Sequence, residues 1–142
     1  MRFYKSIILI VCAIAMAACS TASKVNFTEA NGYFFKNNQP IPTDVLVIQS
    51  KAQMEQYFGY ATTMSTRPTD VDFQSQAVIA IVLGETDTAT EVKISDIKLQ
   101  DGNAVVTYKV VTGEKQSYTM LPMAMVVVDR AIVNGNVVAV KR

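Results

Sequence analysis

Residues 77–83, AVIAIVL, are apolar at every position, and a run that continuous predicts a central strand covered on both faces. The rest of the chain is organised around it in short units. Residues 32–36 (GYFFK) read as an aromatic strand, ended by the two prolines of residues 37–42. Residues 45–48 (VLVI) read as a second buried strand. Ser50 and Gln53 are spaced as a capping box, and the helix they start places Met54, Tyr57 and Phe58 on one face before stopping near Gly59. A polar loop containing Pro68 follows.

Beyond the apolar run, residues 91–99 alternate, with Val92 and Ile94 on one face. Ile97 and Leu99 resume on the opposite parity, which predicts a bulge near Ser95 and Asp96. Asp101-Gly102 then joins this strand to residues 103–111 as a hairpin. Residues 85–91 (ETDTATE) and 112–117 (TGEKQS) read as loops, residues 118–128 as a strand interrupted at Pro122, and Asn134-Gly135 as the turn into a closing strand at 137–140. The expected fold is mainly β (α+β): an antiparallel-rich mixed sheet or β-sandwich with one short helix packed on it. With one helix, a parallel βαβ architecture is disfavoured.

The N-terminus carries a different pattern. Arg2 and Lys5 precede a short apolar core of about 13 residues, where a membrane-spanning helix needs roughly 20. The block Met16-Ala17-Ala18-Cys19 that closes it resembles the bacterial lipoprotein signal. That resemblance implies cleavage before Cys19 and lipidation of its sulfur and amine, with Ser20 favouring the outer membrane. Residues 20–24 lack the acidic run that resembles surface-export tags, so the periplasmic face is expected. The domain division is 1–18 signal peptide, 19–31 lipid anchor and tether, and 32–142 a single β-rich globular domain.

Composition narrows the chemistry. Without residues 1–18 the chain holds 11 basic and 12 acidic side chains, with neither a basic stripe for nucleic acid nor a polybasic patch for anionic lipid. There is no histidine, and the two cysteines are Cys12, inside the signal, and Cys19. These absences remove Ser-His-Asp and Cys-His nucleophile systems and zinc sites built from imidazole or thiolate. An enzyme would have to run on carboxylates, Lys or Tyr. Asp70 and Asp72, joined by Glu85, Asp87 and Glu91, offer oxygen ligands for calcium, or an acid and base; as turn caps and loop-tip acids the same residues are simply solvated. Met120, Met123 and Met125 read as core filling. Of Tyr33, Phe34 and Phe35, at least one ring must leave the core.

The order of strand, capped helix ending in Tyr57-Phe58-Gly59, proline-containing loop, Val71-Asp72-Phe73, apolar strand and Gly84, then hairpin and late strands resembles the C-terminal domain of PrcB-type protease-complex lipoproteins. Small lipoproteins of gut Bacteroidota share the pattern, and the resemblance spans roughly residues 46–128. The family pattern continues after the glycine with a threonine and a Gly-Tyr pair, and here the segment keeps threonines without Gly-Tyr. The resemblance implies a noncatalytic accessory or inhibitor-like domain that engages a protease or another envelope protein and needs no cofactor. The expected contact edge is Thr86, Asp87, Thr88, Ala89 and Thr90, helped by Glu114, Lys115 and Gln116. The alternative is a calcium- or glycan-binding lipoprotein using the acidic 85–91 segment.

Overall fold

The computed structural model describes residues 22–61, 63, 64 and 67–142. The predicted signal peptide and Cys19 lie outside them. Among the described residues no helix is long and apolar enough to cross a membrane.

The described residues form ten strands: β1 (Ser23–Lys24), β2 (Thr28–Glu29), β3 (Tyr33–Phe35), β4 (Leu46–Ile48), β5 (Phe58–Tyr60), β6 (Gln76–Val82), β7 (Thr86–Gln100), β8 (Asn103–Met120), β9 (Met123–Asp129) and β10 (Val137–Lys141). One helix, α1 (Lys51–Tyr57), and a 3-10 turn at Arg130–Val133 complete it. One four-stranded sheet runs β1-β7-β8-β10, with β10 parallel to β8. A second runs β2-β9-β6-β4, and β3 pairs with β5 as a separate ribbon. The result is the expected mainly β fold with mixed pairing and one short helix.

Three layers explain the apolar run. Ala77, Ile79 and Ile81 face the β7–β8 sheet and pack with Val92, Ile94, Ile97, Ala104 and Val106. Val78, Ala80 and Val82 face the other way, onto Met54 of α1, Phe35 and Phe58. Because β6 is the middle of the middle layer, every position from 77 to 82 is buried and none has to be polar.

The hairpin is a tight turn with Asp101 at φ 51° and Gly102 at φ 79°, the left-handed geometry that an Asp-Gly pair supplies. Gly135 stacks against it so closely that an added Cβ would sit 2.1 Å from the Gly102 carbonyl oxygen. The expected bulge is present, since pairing steps from Ile94↔Tyr108 to Asp96↔Thr107 and leaves Ser95 unmatched.

Four expectations are corrected. Residues 22–31 are not a tether. β1 pairs with β7, β2 pairs with β9, and Val25 between them is buried against Ile97, whose carbonyl accepts from the Val25 N–H at 2.9 Å. The domain therefore extends back at least to residue 23, rather than starting at 32. Helix α1 ends at Tyr57, and Phe58–Tyr60 is strand; Phe58 packs edge-on against Phe35 across the ribbon. The helix start differs in one bond: Ser50 Oγ accepts from Gln53 N as expected, while Gln53 Oε1 accepts from Gln49 N. Finally, the segments 86–91 and 112–117 are not loops but the outer portions of β7 and β8.

Candidate functional site

Strands β7 and β8 are the longest in the fold, at 15 and 18 residues, and they outrun their neighbours. β1 covers β7 at Lys98 and Leu99, and β10 covers β8 from Ala104 to Tyr108. Past those points the two strands continue as a two-stranded arm. Its pairing holds at Glu91↔Val111, Thr90↔Thr112, Thr88↔Lys115 and Thr86↔Met120, with shifts in register between the last three. The extra residues fall on β8, one in a bulge around Gly113 and Glu114 and three more between Lys115 and Met120.

The arm brings the two predicted contact stretches side by side. Lys115 Nζ lies 3.4 Å from Asp87 Oδ2, the lysine largely and the aspartate about half in solvent. Such an exposed pair contributes about 0–1 kcal/mol, so it orients the side chains more than it stabilises the arm. Thr88 N–H donates to Thr86 Oγ1 at 3.1 Å, and Thr90 Oγ1 donates to the Thr88 carbonyl at 2.8 Å. The threonines thereby satisfy the Thr88 backbone on the free side of β7. Ala89 approaches Gly113 across the arm, where an added Cβ would meet it at 3.4 Å. Glu114 is exposed, whereas Gln116 turns its Oε1 out of solvent, with no hydrogen-bond partner among the described residues.

The opposite edge of the arm is different. No described strand pairs with the outer side of β8 beyond Tyr108. Along it, Val111 is 61% exposed and Tyr118 59% exposed. Sequence reasoning missed both residues, because Val111 reads as the end of an ordinary strand and Tyr118 as the start of the next.

The acidic residues do not form one site, which corrects the metal alternative. Asp72 caps a turn: its Oδ1 accepts from Gln74 N and its Oδ2 from Ser75 Oγ, each at 3.1 Å. Asp70 lies near Tyr33 instead. Burial, then Tyr60, then Asp70 push the Tyr33 hydroxyl above its ordinary pKa, and that hydroxyl donates to the Thr69 carbonyl at 2.5 Å. Glu85 accepts from Thr119 Oγ1 at 3.4 Å, Asp87 faces Lys115, and Glu91 stands opposite Val111. Among the described residues, no three His, Cys, Asp or Glu side chains converge to hold a metal ion.

The methionines divide. Met125 is buried in the layer between the second sheet and α1, with Met123 packed beside it and Met120 half-buried at the end of β8. Phe34 is the ring that leaves the core. It is 48% exposed, and the far end of its ring reaches Gly59, where an added Cβ would sit 2.4 Å from it.

No protein family, curated protein or solved structure matches the chain.

Proposed function

We propose that the chain is a lipid-anchored envelope protein whose domain binds another protein, with the β7–β8 arm as the contact element, and that it does not catalyse a reaction. The observation that carries this reading is the open outer side of β8 past Tyr108, with Val111 and Tyr118 exposed along it. An unpaired edge with exposed apolar side chains is a template for protein contact, and native folds that leave one uncovered usually have a use for it. The partner class is a protease or protease complex, on the strength of the resemblance carried by Val71-Asp72-Phe73, the 77–83 strand and Gly84.

The anchor fits this arrangement. Only Ser20, Thr21 and Ala22 separate Cys19 from β1, a leash of at most about 14 Å when extended. β1 docks beside Lys98 and Leu99, next to the Asp101-Gly102 turn, and Thr86 lies twelve residues farther along β7. At the rise of a strand that is roughly 40 Å of chain. A lipid on Cys19 would hold the hairpin turn close to the membrane and the arm away from it, on the periplasmic face of the outer membrane.

The test is a crosslinking pull-down of the lipidated protein from native envelopes, with partners identified by mass spectrometry. A Val111→Thr, Tyr118→Thr variant is run in parallel. The expected result is a processing complex recovered with the native arm and lost with the variant. Recovery that is indifferent to the arm, or no specific partner, would refute the assignment.

A further inference from the structure

We propose that a slot between β7 and β9, separate from the outer edge of β8, receives an extended peptide segment of another polypeptide, which adds as a strand to β7. The two sheets of the sandwich part along one side, leaving a cavity of about 400 Å³ between Val92 and Ile94 of β7 and residues 123–126 of β9, roofed by Ala30 to Tyr33. That volume falls within the range of ligand sites.

The slot is lined by unpaired backbone at strand spacing. Ala104 N–H donates to Asn136 and the Tyr108 carbonyl accepts from Arg142 N, so even-numbered residues of β8 present their backbone toward β10 and odd-numbered ones toward β7. Lys109 and Val111 therefore bond Lys93 and Glu91, and the N–H and C=O of Val92 and Ile94 point away from β8, into the slot. No described strand pairs with them there, since β1 reaches only Lys98 and Leu99. On the far wall the Met125 carbonyl takes Ala30 N–H, which leaves Met123, two residues along, facing the same space.

The vacancy has closed ends. On one side Thr86 and Thr90 satisfy Thr88, and on the other Val25 N–H satisfies the Ile97 carbonyl. From Thr88 to Ile97 that edge spans nine residues, roughly 30 Å of strand, with Val92 and Ile94 at its middle. Donors and acceptors alternating along an edge in that order are matched by the backbone of an extended peptide, and not by a globular surface or a compact small molecule. Val92 and Ile94 are themselves nearly buried, so their polar groups gain from a partner that replaces water.

The test starts from a displayed library of random heptapeptides panned on the full-length protein. A selected peptide is then synthesised and titrated while amide hydrogen exchange is followed. The expected result is slowing of the Val92 and Ile94 amides by about tenfold or more at saturation. Val92→Pro removes an N–H that the β7–β8 pairing does not use, and should weaken binding about tenfold. Ala124→Leu, which fills the slot from β9, should do the same if the proline variant does not fold. Failure to select any peptide overturns the proposal, as do selected peptides that leave those two amides unchanged or protect Val110 and Thr112 instead. An Asp87→Ala, Lys115→Ala variant should bind the peptide normally, which separates this slot from the arm.

Discussion

Whether residues 22–31 are tether or fold is decided by Val25. Its side chain is 7% exposed and packs with Ile97, Val106 and the β6 residues between the two sheets. Val25→Ala removes two carbons from that layer. At about 0.8 kcal/mol per buried methylene, the transfer loss is about 1.6 kcal/mol, and incomplete collapse of the site brings the expected cost to about 2 kcal/mol. The backbone bond to Ile97 is kept. For a chain of this size that cost lowers the melting temperature by roughly 8 °C. Urea unfolding followed by circular dichroism measures it, with the midpoint falling and the slope unchanged. Lys24→Ala, an exposed neighbour in the same strand, serves as the control and should stay within about 0.5 kcal/mol. If Val25→Ala costs no more than that control, the segment is not part of the cooperative unit. The short-leash geometry inferred for the anchor would then fail with it.

Gly135→Ala forces a Cβ onto the Gly102 carbonyl of the hairpin turn and should destabilise by about 2 kcal/mol or more in the same assay; a neutral result would mean that the turn and the 134–136 segment separate freely. Gly59→Ala meets a ring that is half in solvent and free to swing aside, so the expected cost is only about 1 kcal/mol. Much of that cost should vanish in a Phe34→Ala background, read as a double-mutant cycle. The raised pKa of Tyr33 has a definite sign: its neutral hydroxyl is favoured in the folded state, so stability is intact below pH 10 and falls as pH rises through the folded pKa. Tyr33→Phe should flatten that alkaline loss, measured as unfolding midpoints between about pH 8 and 11; an unchanged alkaline slope would refute the assignment.

The parts of this fold that were legible in the sequence are those in which burial dictates residue type. The all-apolar 77–83 run, the parity switch at Ser95 and the Asp101-Gly102 turn each leave a pattern that only one local structure satisfies. The arm left none. Once β7 and β8 pass their neighbours, β8 has solvent along its side, so TDTAT and TGEKQ are free to be polar while backbone pairing still holds them as strands. Polarity marks exposure, and exposure alone does not distinguish a loop from a strand that has outrun its sheet. β1 and β2 failed for the complementary reason. Two residues of strand on each side of a single buried valine are too short for any period to register, and what fixes them is pairing with β7 and β9, far along the chain.

The same logic separates the two edges of the arm. At the outer end of β7, Thr86 and Thr90 fold back on Thr88 and satisfy its backbone internally, which keeps that end of the edge from recruiting a stray strand. Threonines there read as contact residues in the sequence, yet their hydroxyls are occupied with their own backbone. On the β8 edge the corresponding groups from Val110 onward face no described strand, and the bulge at Gly113 and Glu114 breaks its register. A regular strand laid along that edge would lose its alignment at the bulge, so recognition there must rely on side chains such as Val111 and Tyr118. The β7 slot has no such interruption between Val92 and Ile94. Strand addition belongs to the slot and side-chain contact to the arm, and the two sites answer to different substitutions.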